Sequence, residues 1–344
     1  MPGVKTITFL IAAILLSGQS AFAAPRPVVD RSVVEELLEG PKVVNIVDDF
    51  LVFWDQARGK SLRRQVRMWR QLVESKHQNY FDRAVYRNSD AAQRRAMLNE
   101  FLMRVPYQIE AIRKFNKTFS EILLETIVSF KHSRFREYRQ QNDIYIGLSM
   151  FGFDGSVRPV NNELGIPDTL CLGAEVLADY TPEQVKVTVA HEFFHLYHFS
   201  FLFQQPSLAG IRTAPVALMI EGMAVAGTEE AFPYKESPLY LHFSDEDFAS
   251  QTEALTWNSE RYLELVRNNA PPAEYEKWFT NEATGSVPPR GGYLLGYELT
   301  KRIMAIFTLE QMVRMTPAEL REHAEEQLAA MAGEQLLLMA GSGN

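Results

Sequence analysis

His191 and His195 stand four residues apart with Glu192 beside the first. Two imidazoles and a carboxylate in that order can grip a metal ion and activate water. On an α-helix of about 3.6 residues per turn, positions four apart share a face, so both rings reach one Zn²⁺. Glu192 points roughly a quarter turn away. It is thereby kept off the metal and free to act as general base.

That chemistry requires the segment to be helical. Thr181-Pro182-Glu183-Gln184 reads as a helix start, with a hydroxyl N-cap, proline at the first helical position and glutamine closing a capping box. Helix is expected from there to about residue 200. The bland alternative is a core helix that happens to carry two histidines.

A catalytic zinc wants a third protein ligand and an open position. Residues 214–227 hold a single ionisable group, Glu221, and a carboxylate buried there needs a cation to offset its lost hydration. Gly222, Ala224, Ala226 and Gly227 beside it are small, so a second helix can approach the first closely. A lone surface glutamate, or one paired with arginine, is the other reading. His198 lies seven residues after His191, too far along the helix to complete a tetrahedron, and reads as a core histidine or as support for the ligands. Glu229 and Glu230 read as solvated. Metzincins place a third histidine where Phe201 stands, which excludes that class.

His-Glu-x-x-His followed by a glutamate on a later helix resembles the gluzincin metallopeptidases. Glu-Gly-Met-Ala at 221–224 is similar to the sequence around the third ligand in aminopeptidases of that clan. The run Gly291-Gly292-Tyr293-Leu294-Leu295-Gly296-Tyr297 resembles an element of bacterial proteins described as predicted Zn-dependent proteases. The resemblance covers about residues 142–315. Two features depart from it. The 25 residues between His195 and Glu221 exceed the usual spacing, and Val225 occupies the position where thermolysin-like members carry Asp.

The resemblance implies zinc-dependent peptide hydrolysis. One Zn²⁺ on His191, His195 and Glu221 polarises the scissile carbonyl and activates water, and Glu192 moves the proton to the leaving amine. A tyrosine after the third ligand donates to the oxyanion, with Tyr293 favoured over Tyr297. Zinc is preferred, although two imidazoles and a carboxylate also accept manganese, cobalt or iron. Residues 144–148 and 169–172 read as strands, the second preceded by the turn Gly165-Ile166-Pro167-Asp168. In gluzincins such strands belong to a sheet whose edge pairs with substrate backbone.

The surrounding chain is ordinary in composition, with 46% hydrophobic and 23% charged residues. Lys5, the apolar run 7–16 and Ala21-Phe22-Ala23 have the pattern of a signal peptide cut before Ala24, implying a periplasmic or secreted protein. The single cysteine, Cys171, forbids an intrachain disulfide. Net charge is −8, yet residues 56–140 carry 19 Lys and Arg against 8 Asp and Glu, a balance of +11. Helices are expected there over 62–75, 90–104 and 107–140. Their charge suits docking onto the acidic half, peripheral contact with anionic surfaces, or solvation alone. Nucleic acid is not expected as a partner. Further helices are expected within 237–269, over 292–306, and over 316–333 behind the box Thr316-Pro317-Ala318-Glu319.

The sequence therefore implies a mostly helical α+β protein. Its expected parts are a signal peptide at 1–23, a basic helical region at 24–140 and a catalytic domain at 141–344, acting on peptide or protein substrates. The alternatives are a catalytically silent scaffold of the same fold and a zinc amidase acting on a non-peptide or cell-wall amide.

Overall fold

The computed structural model describes residues 34, 41–135, 139, 142–233 and 235–341, with backbone alone for 334–341. The expected signal peptide lies outside the described residues. Among the described residues no helix is long and apolar enough to cross a membrane. The fold is α+β, many helices with one four-stranded mixed sheet. The chain divides into two compact units, Met1–Ser129 with Arg139–Val189, and Phe130–Tyr138 with Ala190–Asn344.

The first unit opens with strand β1 (Val43–Asn45) and helix α1 (Ile46–Ala57). The Asn45 side chain caps α1 by accepting from the Val47 N–H. Helices α2 (Leu62–Leu72), α3 (Ala91–Arg104) and α4 (Ile109–His132) follow, then β2 (Ile144–Gly147), β3 (Gly155–Arg158), β4 (Thr169–Gly173) and the short α5 (Ala174–Leu177). The sheet order is β1-β2-β4-β3. β1 and β4 flank β2 in parallel, and β3 runs antiparallel along β4, with Val157 opposite Leu170. Every residue of β4 is buried, which is why Leu-Cys-Leu follows Thr169 without a polar residue between, rather than in alternation. Trp69 centres the helical core, its ring 5.5 Å from Phe53, 5.5 Å from Phe81 and 5.3 Å from Phe101.

Two helices end earlier than their sequences suggest. α2 stops at Leu72 and gives way to a 3₁₀ turn, Glu74–Lys76. α4 stops at His132, where Ser133 turns its N–H and hydroxyl back onto the Phe130 carbonyl. After β2, Met150 and Phe151 both adopt left-handed backbone, a conformation costing about 1–2 kcal/mol per non-glycine residue. The buried Glu175 carboxylate holds that turn, accepting from Ser149 Oγ and from the Phe151 N–H, each at 2.9 Å.

The second unit holds most of α6 (Pro182–Leu202), then α7 (Ala214–Ala231), α8 (Ser237–Leu241), α9 (Asp245–Glu253), α10 (Leu255–Arg267), α11 (Gly291–Ile303), α12 (Leu309–Met312) and α13 (Pro317–Gly341). The expected capping box of α13 forms, with Glu319 accepting from the Thr316 N–H at 2.8 Å and Thr316 Oγ1 from the Glu319 N–H. α7 is the central helix, packed by α11 and α13, while α10 lies on α13. Tyr262 of α10 ties down the start of α7 by donating to the Ala214 carbonyl at 2.8 Å.

Candidate metal centre

Thr181 and Gln184 cap α6 reciprocally, at 2.9 and 3.2 Å, so the helix is in register well before it reaches His191. The two histidine rings then lie one turn apart, centroids 4.6 Å from each other and nearly perpendicular. Aromatic side chains hold the back of this helix. Phe193 packs on Phe130, and Phe194 and Tyr197 on Phe135, with centroids 5.7, 5.2 and 5.0 Å apart. Phe199 stacks on the His195 ring at 5.6 Å.

Glu221 comes from the middle of α7, and glycines set its distance. A Cβ on Gly227 would collide with the Phe194 ring of α6. Only glycine lets α7 settle against that ring. On another side, a Cβ at Gly222 would strike the Gly296 carbonyl and one at Gly296 the Leu218 carbonyl, so α7 and α11 touch backbone to backbone. The small residues flanking Glu221 thus serve two helices, where the sequence pointed to α6 alone.

Three donor atoms converge as a result. His195 Nε2 lies 3.0 Å from His191 Nε2, and Glu221 Oε2 lies 3.2 Å from the first histidine and 3.4 Å from the second. A tetrahedral zinc with bonds of about 2.0–2.1 Å sets its ligand atoms about 3.3 Å apart. The triangle fits that ion. Among the described residues these three are the group able to hold a metal. Their side chains keep 12%, 7% and 25% of their surface exposed, so the cluster is largely covered and Glu221 is its most accessible member. Three protein ligands leave the fourth position of a tetrahedral ion open, as a catalytic zinc requires.

The electrostatics agree. Burial works to raise the Glu221 carboxyl, but the two imidazoles outweigh it and hold the group well below the usual carboxylate range. Burial pushes His191 down against the pull of Glu221, with His195 and Arg290 adding to the fall. His195 ends above its ordinary value, because Glu221 and Glu192 overcome its burial. Glu221 is thus kept ionised and His191 neutral, as metal ligation requires, while His195 would give up its proton on binding the ion.

Glu192 is buried beside the cluster and is not one of its three ligand groups. His198 is fully buried against Phe194 and Phe199, both ring nitrogens without a hydrogen-bond partner, and burial drives it down to about 3. It is a neutral core residue. Tyr293, at the start of α11, presents its ring to His191 with centroids 5.9 Å apart. Tyr297, one turn on, points elsewhere: its hydroxyl donates to Glu229 Oε2 at 3.0 Å, the same oxygen that Lys301 Nζ holds at 3.0 Å. Glu230, expected in solvent, is half-buried and pairs with Arg134 at 3.6 Å.

Arg290 is the residue at this site that sequence reasoning missed. It adopts left-handed backbone at the N-terminus of α11, donates to the Leu241 carbonyl and to Asn281 Oδ1 at 3.0 and 2.9 Å, and lays its guanidinium 4.3 Å over the Tyr293 ring. The one signal available was its place between Pro-Pro and Gly-Gly, three residues before Tyr293.

Residues 153–322 match a protein family described as predicted Zn-dependent protease (DUF2268). The matched span contains all three converging side chains, Glu192 and Tyr293. No curated protein and no solved structure matches the chain.

Proposed function

We propose that this protein is an exported, gluzincin-type zinc metallopeptidase that hydrolyses peptide bonds of a peptide or protein substrate. The convergence of His191 Nε2, His195 Nε2 and Glu221 Oε2 within 3.4 Å carries the reading. Zinc bound there would supply a Lewis acid that polarises the scissile carbonyl and lowers the pKa of water. Glu192 then has the work of a general base, holding the proton taken from water and passing it to the leaving amine. Tyr293 donates its hydroxyl to the developing oxyanion, a role supported by its ring against His191. Arg290 steadies that tyrosine from its outer face. Export rests on residues 1–23 alone, and the mature chain recovered outside the cytoplasm is expected to begin at Ala24.

The test is hydrolysis of a mixed peptide library by wild type and Glu192→Gln, with bound metal measured in both. The variant is expected to retain its zinc and to lose about 10²–10⁴-fold in rate. Equal product from the two proteins overturns the mechanism and favours a silent scaffold. Cleavage of non-peptide amides alone, seen by product mass spectrometry, favours an amidase.

A further inference from the structure

α2 carries four arginines and no acid, in the sequence Leu-Arg-Arg-Gln-Val-Arg-Met-Trp-Arg-Gln-Leu. Trp69 is its one fully buried residue, with Gln65, Val66, Met68 and Leu72 half-buried around it, and all four arginines are exposed. Arg63, Arg67 and Arg70 recur at spacings of four and three, which places them along one face. Arg95 of α3 joins them. The four guanidinium groups, with Val66, Gln71 and Ala91, line an open depression of about 880 Å³.

Elsewhere on the same unit several basic side chains are matched. Arg83 pairs with Glu163, Arg94 with Asp82, Arg104 with Glu100, Arg113 with Asp55, and Lys76 with Asp49. Arg58, Lys60, Arg64, Arg87, Lys114 and Lys117 stand singly in solvent; what sets the depression apart is that four arginines converge on it. None of the four arginines of the depression makes an ion pair among the described residues, and no acid lines it. Like charges at helical spacing repel one another. Their grouping is explained by a ligand that brings the compensating charge.

The chemistry selects phosphate. All four groups are arginine, whose planar fork binds a phosphate through two parallel bonds, and a dianionic phosphate can take two such forks at once. A protein partner would need an apolar core to bury, and the lining offers only Val66 and Ala91. We propose that this depression binds ligands presenting two or more closely spaced phosphate groups, as in a condensed phosphate or a cluster of phospholipid headgroups.

Calorimetry with tripolyphosphate and sedimentation with vesicles of phosphatidylglycerol and phosphatidylcholine separate the two sources. The full-length protein is compared with Arg63→Gln/Arg67→Gln/Arg70→Gln/Arg95→Gln and with a charge-matched control, Arg58→Gln/Lys60→Gln/Lys114→Gln/Lys117→Gln. All eight side chains are exposed, and thermal melts of both variants check the fold. Binding of either ligand is expected to weaken at least about tenfold in the first variant and far less in the control. Absence of binding to both ligands overturns the proposal. So does equal weakening in the control, or tighter binding of polyglutamate than of tripolyphosphate.

Discussion

Glu175 in the first unit and Glu221 in the second are both glutamates largely withdrawn from water, and their neighbours set them apart. Glu175 is met by a hydroxyl and a backbone amide. Burial dominates, and its carboxyl is pushed above the ordinary value in spite of those bonds. Glu221 is met by two imidazole nitrogens, and its carboxyl is pulled well below. A buried acid is thus no sign of a site by itself. One of these groups holds a strained turn together, whereas the other keeps the charge that a divalent ion would require.

The sharpest way to break this comparison is to remove the second carboxylate. Glu221→Ala is expected to cut zinc affinity by at least about a hundredfold, read by metal analysis after dialysis, while Glu175→Gln leaves bound metal unchanged. Zinc retained in Glu221→Ala would strip that residue of its proposed role. Next in size is the tyrosine pair. Tyr293→Phe is expected to lower kcat by about 10²-fold through loss of an oxyanion donor. Tyr297→Phe should leave kcat alone and reduce stability by about 1 kcal/mol for the lost bond to Glu229. Equal kinetic effects from the two would end the distinction between them.

A smaller effect is expected where the helices meet. Gly296→Ala overpacks the contact with Leu218 and should lower stability by about 1–3 kcal/mol and kcat along with it, as Tyr293 is moved. Smallest is the response of Glu175 to pH. Its folded pKa lies above the unfolded one, so its favourable contribution is complete below about 4.5 and is lost as pH rises through the folded value. Glu175→Gln, which keeps an accepting oxygen, should therefore melt at a higher temperature than wild type at pH 7 and show no such advantage at pH 4. A variant less stable at both pH values would mean that the ionised form is the one the turn prefers.

How much of this could be read from the chain depended on how local the cause was. The helix carrying His191 and His195 was legible because its cap, its first-turn proline and its ligand spacing all lie within fifteen consecutive residues, 181–195. Glu221 was legible by its isolation in an apolar run. The strands β1 and β3 were not, because Val-Val-Asn and Gly-Ser-Val-Arg are too short to show alternation and owe their state to partners distant in sequence, β2 at residue 144 and β4 at residue 169. Glu175 and Arg290 escaped for the same reason. The first is defined by a turn some 24 residues earlier, the second by a carbonyl 49 residues away. Between Tyr293 and Tyr297 the sequence could only state a preference, since both lie on one face of α11, and Glu229 is what draws the second one off.

The bare meeting of Gly222 and Gly296 has a consequence for how such a chain can vary. Side chains at most helix contacts can trade volume across the interface, so the axes drift a little and the ends follow. Here there is no side chain to trade. The spacing is fixed by main-chain atoms on both sides, which makes this seam a gauge block between the acid on one helix and the phenol on the next. Substitutions elsewhere on α7 or α11 can alter their outer surfaces without changing the reach from Glu221 to Tyr293.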